Sequence, residues 1–364
     1  MTIQPTQTVS LIIPSRGRSL KLQNLVDSIA SQEIPEGWGL ETLIIIDGEG
    51  EPPICPPKIN AGVHAIGHAG AGNARNEGIR RSSGEILVFL NDDVVLQPGF
   101  IAAHVGAIRA GHKAAVGHAP WKPPGDPTLF DAFVACTPAI FAQSSLVPGG
   151  LHDFRAAWTL NLSLARSVIE EIEHPFHPEI RPVYFEDLEF AYRCLGGAPA
   201  IVYEPRAIAV HDHRVSIGEY FRREVLLGMM SAVLCETNRR CFDALFTTEP
   251  RAHAQGARPM LDLDTPDHRR LLAYFVEQAE TRIDPLGDQH DAASRLFVSH
   301  LPLKRRAFRL GLIAQLDERL AWDQRVPRAA EVLSEDAVFS GLGSPANQAH
   351  EKRPMRTAPG VQSG

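Results

Sequence analysis

Four short segments gather the residue types that do chemistry. Asn91-Asp92-Asp93 closes an apolar run, Ile86-Leu87-Val88-Phe89-Leu90. Carboxylates at a strand end can hold Mg²⁺ or Mn²⁺ bridged to a diphosphate, because hard cations take oxygen ligands and keep substrate phosphates in their shell. A plain Asx turn is the competing reading. Glu186-Asp187 opens a helical pattern that runs to Leu195 and stops at Gly196-Gly197. Acidic groups favour a helix N-terminus on electrostatic grounds alone, but the two point in different directions, so one can act as a general base while the other caps. Gly70-Ala71-Gly72-Asn73-Ala74-Arg75-Asn76-Glu77-Gly78 is glycine-rich without P-loop spacing, and its Arg75 is placed to meet a phosphate, a base or only solvent. His211-Asp212-His213 puts two imidazoles on one side of an extended chain, as metal ligands or as surface groups.

The elements that must position these groups alternate. Val9 to Pro14 reads as a buried strand stopped by proline, Ser19 to Ser31 as a helix, and Thr42 to Ile46 as a buried strand ending at Asp47-Gly48. Glu49 to Pro57 reads as a loop, Asn73 to Arg81 as a helix, Ile86 to Leu90 as a strand and Phe100 to Ala110 as a helix. Continuously apolar strands separated by helices predict an α/β fold, a parallel sheet covered on both faces. Ligands then bind beyond the C-terminal strand ends. Those ends carry Pro14-Ser15-Arg16, Asp47 and Asn91-Asp92-Asp93, so three strands deliver polar groups to one edge.

The remainder is less regular. Residues 119–160 read as an irregular surface or a β excursion, Leu162 to Glu173 as a helix, Ala200–Tyr203 and Ala207–Val210 as short strands, and Ile217 to Asn238 as a long helix. Its Val225–Leu234 stretch is too short to span a membrane, and no longer apolar run exists. Beyond Leu245 the composition turns charged, with helical periodicity at His268–Glu280, Ala292–His300 and Arg305–Leu320. The division expected is 1–244 as the main domain, 245–333 as a helical C-terminal appendage and 334–364 as a disordered tail poor in large apolar residues.

Composition bounds the function. Lys and Arg number 36 against 43 Asp and Glu, a net charge of −7, which disfavours nucleic acid as a partner. Five widely spaced cysteines with no C-x-x-C point to reduced thiols rather than a zinc ribbon. The polar N-terminus has no secretory h-region, so the expected location is cytoplasmic, with peripheral membrane attachment compatible.

Taken in order, Val9–Pro14, Asp47, the Gly70–Gly78 segment with Arg75, Gly84-Glu85 through Asn91 and Asp93, Glu186-Asp187 with Arg193, and His211 resemble glycosyltransferase family 2, of the GT-A fold. The resemblance spans Val9 to about Val225. It implies a mixed, mostly parallel Rossmann-like sheet flanked by helices, a nucleotide-diphospho-sugar donor, a divalent metal (Mn²⁺ or Mg²⁺) and inversion at the anomeric carbon. By that resemblance Pro14, Ser15, Arg16, Asp47, Arg75, Asn91 and Asp92 contact the donor. Asp93 and His211 bind the metal, and Asp187 is the base with Glu186 beside it. The acceptor would be a glycan, a lipid-linked saccharide or a small molecule. Three departures stand out. Asn91 replaces the usual Asp and looks like the rhamnosyl-transfer branch. Thr159-Leu160-Asn161 replaces Gly-x-Asn. The Gln-x-x-Arg-Trp of processive synthases is absent. A GT-A domain without turnover and a sugar-1-phosphate nucleotidyltransferase are the alternatives. The weak Pro14-Ser15-Arg16-Gly17-Arg18 loop disfavours the latter.

Overall fold

The computed structural model describes residues 7–316 apart from 18, 181–183, 253–265 and 285–286. The expected disordered tail therefore lies outside the described residues. The apolar run at the N-terminus shows no alternation because both its faces are covered. β1 (Gln7–Ser15) has buried side chains from Val9 to Ser15 and sits between β2 (Trp38–Asp47) and β4 (Ile86–Leu90). β3 (Asn60–Ile66) adds an edge, so that β3-β2-β1-β4 is a wholly parallel half-sheet. Pro14 does not stop β1. The ladder to β4 ends at Ile12, so proline occupies a stretch paired only with β2.

Beyond β4 the order continues β8 (Asn161–Ala165), β6 (Ala114–His118), β9 (Ile201–His211) and β5 (Val94–Leu96), with β7 (Leu151–His152) paired to β9. β8 runs antiparallel to both β4 and β6, while β6 and β9 are parallel. The sheet is thus mixed. α1 (Ser19–Ala30), α2 (Ala71–Arg81), α3 (Phe100–Arg109) and α5 (Glu186–Leu195) cover its faces over two apolar clusters.

Four further expectations change. The helix expected from Leu162 is instead strand β8, followed by a short turn of 3₁₀ helix, Arg166–Val168. Its polar residues look like a helix surface but are buried and satisfied. His104 meets Asn161 Oδ1 through Nε2 and Ser163 Oγ through Nδ1, each at 2.8 Å. Burial pushes that imidazole down to about 4, so it stays neutral. The stretch 119–160 is partly helical: α4 (Leu129–Cys136) starts at a Thr128–Asp131 capping box. The two short strands merge into β9, with a register shift opposite Gly117–His118. The two C-terminal helices merge into α9 (His290–Gln315), which runs through Pro302. The bond that Pro302 cannot make falls to the carbonyl of Val298, an exposed residue.

α6 (Ile217–Thr237) carries the apolar stretch noted above as a core helix, and α7 (Arg239–Leu245) follows it. A third apolar cluster joins α4 and α6 to α8 (Pro266–Ala279) and α9, with Phe133, Tyr220, Phe221 and Phe275 fully buried. Among the described residues no helix is long and apolar enough to cross a membrane.

Candidate active site

The parallel half-sheet delivers its polar C-terminal residues to one edge. Ser15 ends β1 and donates through Oγ to Asp92 Oδ2 at 2.6 Å. Asp47 ends β2, and its carboxylate accepts the backbone N–H groups of Ala69 (2.6 Å) and Gly70 (3.1 Å). That grip sets the start of α2, where Gly70 takes a φ of 86° that suits only glycine. The loops after β1 and β2 also touch: a Cβ on Gly17 (φ 73°) would lie 2.3 Å from Gly50 Cα. α2 then carries Arg75 inward. Its guanidinium donates to Asn91 Oδ1 at 3.2 Å, stands 3.5 Å from Glu186 Oε1, and lies 5.5 Å from the centre of the Phe176 ring.

Asn91-Asp92-Asp93 joins β4 to β5. β5 pairs antiparallel with the end of β9, Val94 opposite His211, and the Asp212 N–H donates to the Asp93 carbonyl at 2.7 Å. That pairing brings the third member of the triplet to the H-x-H segment. His211 Nε2 stands 3.4 Å from Asp93 Oδ1 and His213 Nδ1 3.8 Å from Asp93 Oδ2. His211 is buried against the Trp121 ring, centroid to centroid 4.3 Å. Burial lowers the affinity of His213 for a proton, against the pull of Asp93. Among the described residues no three His, Cys, Asp or Glu side chains are gathered as a ready metal cluster. A carboxylate with one or two imidazoles is a donor set of the kind that Mn²⁺ accepts.

The acidic pair opens α5, and the chain reaches it through strain. Tyr184 and Phe185 both have positive φ, 86° and 67°, a costly conformation for bulky side chains. The bend turns the two carboxylates to different surroundings. Asp187 is half-buried, and its Oδ2 accepts the Thr159 N–H at 3.1 Å. Glu186 is buried; burial and the neighbouring Asp187 charge push its carboxyl up to about 8, and Arg75 only partly opposes them. The Arg75–Glu186 contact is long, and Arg75 also serves Asn91, so burial prevails.

These groups share one cavity of about 1280 Å³. Pro14, Ser15, Arg16, Asp47, Arg75, Asn91 and Asp92 line it, as do Glu186 and Asp187. The wall includes His213 but neither Asp93 nor His211, which lie buried beside it. Sequence reasoning did not single out Trp158 and Phe141 in the wall, nor Arg223 and Glu224 from α6, nor Lys304 from α9. A signal existed for two of these: Arg222-Arg223-Glu224 is a charged break in an otherwise apolar helical stretch.

Residues 10–132 match the family model described as glycosyl transferase family 2. Among curated proteins none matches the chain. Of solved structures, a mannosyltransferase from Pyrobaculum calidifontis, in complex with GDP-Man and Mn²⁺, is similar at 15% identity and a TM-score of 0.50, covering 88% of this chain and 89% of that one. TarS 1–349 from S. aureus is similar at 12% identity and a TM-score of 0.44, covering 86% and 93% respectively. The fold is GT-A, and the C-terminal helices expected beyond it are present.

Proposed function

We propose that the chain, whose residues 10–132 match the family model described as glycosyl transferase family 2, moves a sugar from a nucleotide-diphospho-sugar to an acceptor hydroxyl with inversion. The observation that carries the reading is the Asp187 carboxylate in the wall of the cavity where β1, β2 and β4 end. An acceptor hydroxyl is a poor nucleophile until a carboxylate takes its proton in the transition state. Asp187 has that role, and the Thr159 N–H fixes its orientation. One base opposite the leaving group gives a single displacement, hence inversion.

On the donor side, Ser15 locks Asp92, Asp47 shapes the loop into α2, and Arg75 brings a cation to the cavity. Pro14, Arg16 and Asn91 complete that wall. Asp93 and His211 would hold a divalent metal, with His213 next to them, and the metal would stabilise charge on the departing diphosphate. The fold shared with the Pyrobaculum mannosyltransferase, solved with GDP-Man and Mn²⁺, supports a nucleotide-sugar donor and a divalent ion in general.

A thermal-shift screen of nucleotide-sugars, rhamnose donors included, with Mn²⁺ and with Mg²⁺, tests the reading. The expected result is stabilisation by one nucleotide-sugar and metal-dependent release of its nucleoside diphosphate. Absence of any nucleotide-sugar that binds or turns over overturns it.

A further inference from the structure

α6 and α9 cross so closely that their backbones touch. A Cβ on Gly228 would stand 1.9 Å from the Phe308 carbonyl oxygen, and one on Gly311 would stand 1.8 Å from that of Val225. The crossing brings Glu224, one turn before Gly228, against Lys304. Glu224 is fully buried. Its Oε1 accepts from Arg223 Nη1 at 2.7 Å, while Lys304 Nζ stands 3.7 Å from Oε2, which accepts no hydrogen bond among the described residues. Burial pushes this carboxyl up, and Lys304 and Arg223 pull it back down. One carboxylate thus tethers two cations. The cationic side chains are not sealed in: 21% of Arg223 and 32% of Lys304 remain exposed, and both line the cavity.

Their position within the cavity assigns them a side. The donor groups come from β1, β2, β4 and α2, whereas this cluster comes from α6 and α9. The Arg223 guanidinium lies 5.7 Å from the centre of the Tyr184 ring, three residues before Asp187. The surface beside the base is where an acceptor must approach. Arg223, Glu224 and Lys304 together carry one positive charge in excess, and with Glu219 and Asp187 among the acidic groups elsewhere in the wall, an anion is favoured at the two cations themselves. We propose that Arg223 and Lys304, held by Glu224 as a positioning residue, form an acceptor subsite for a phosphate group. This inference rests on the glycosyltransferase reading above.

Inorganic phosphate and glycerol 1-phosphate are the probes for this side, and UDP and GDP with Mn²⁺ are the probes for the donor side. Binding is measured by calorimetry on wild type and on Lys304→Met, Lys304→Arg and Arg223→Met. Melting curves confirm that each variant folds. Phosphate should bind wild type already saturated with nucleoside diphosphate. Lys304→Met and Arg223→Met should each weaken it about tenfold or more, as expected for loss of one charge-assisted contact. Lys304→Arg should restore it, and nucleoside diphosphate affinity should not change. If the Met variants weaken nucleoside diphosphate binding by the same factor, the cations serve the donor and the acceptor assignment is overturned. Nucleotide binding without phosphate binding overturns the subsite alone. Failure of every nucleotide to bind overturns the glycosyltransferase reading itself.

Discussion

Asp187 and Glu186 are neighbours in sequence yet sit in opposite environments. Asp187 faces the cavity with one oxygen held by a backbone N–H, so it is placed to accept a proton. Asp187→Asn should therefore cut turnover about a hundredfold or more while leaving donor affinity nearly unchanged, because a base acts in the transition state and adds little to ground-state binding. Single-turnover kinetics with a calorimetric donor titration separates the two effects. Should Glu186→Gln carry the whole loss instead, the base is Glu186. Glu186 has its own signature. Its carboxyl is raised from 4.5 to about 8, chiefly by burial and then by Asp187. Between those values the folded chain keeps a proton that the unfolded chain has released, so stability falls as pH rises. The stabilising effect of that proton is fully present below about 4.5 and is lost as pH passes through about 8. Glu186→Gln stays neutral at every pH, so the difference in melting temperature between variant and wild type should widen in favour of the variant across that window. A constant difference across that range refutes the buried, protonated carboxyl.

The elements differ in how far sequence exposes them. β1, β2 and β4 were legible because burial on both faces leaves an unbroken apolar run, and α5 because Gly196 gives it a clean stop. β8 was not, since its Asn161 and Ser163 are polar residues satisfied by His104, a partner 57 and 59 residues away. β5 escaped notice because three residues make a strand only through the end of β9. The cavity wall made by Ser15, Asp47, Asn91 and Asp92 was legible for the same reason as the strands: these residues stand at or just beyond their ends. The Arg223–Glu224–Lys304 wall was not, because it forms only where two helices cross and bring together residues 80 positions apart, Glu224 and Lys304. That crossing yields its own expectation. At Gly228 and Gly311 even a methyl group meets a carbonyl oxygen of the opposite helix. Gly228→Ala and Gly311→Ala should each destabilise by about 1–3 kcal/mol, the usual range for overpacking, although alanine is the better helix former. Denaturant unfolding measures it, and variants as stable as wild type would mean the helices pack further apart.

At the scale of the molecule, the C-terminal helices share an apolar cluster with α4 and α6. Leu272 and Phe275 of α8 and Leu296, Leu303 and Ala307 of α9 pack in one cluster with Phe130 and Phe133 of α4 and Tyr220 and Phe221 of α6. Removing α8 and α9 would expose those four aromatic rings together, an apolar patch that a soluble monomer does not carry without association. It would also strip Lys304 and Phe308 from the cavity wall and leave Glu224 with one cation fewer. A chain ended after Leu245 should therefore aggregate or lose its cooperative unfolding transition, even though it retains every strand and all of residues 10–132. A chain ended after Ser334 makes the opposing case, because the segment removed is rich in Gly, Ser and Pro and has few large apolar side chains to bury. Its melting temperature should match that of the full chain. Calorimetry of both truncations alongside the full chain decides the matter. A cooperative transition in the shorter one, with nucleotide binding intact, would make the C-terminal helices a separable appendage.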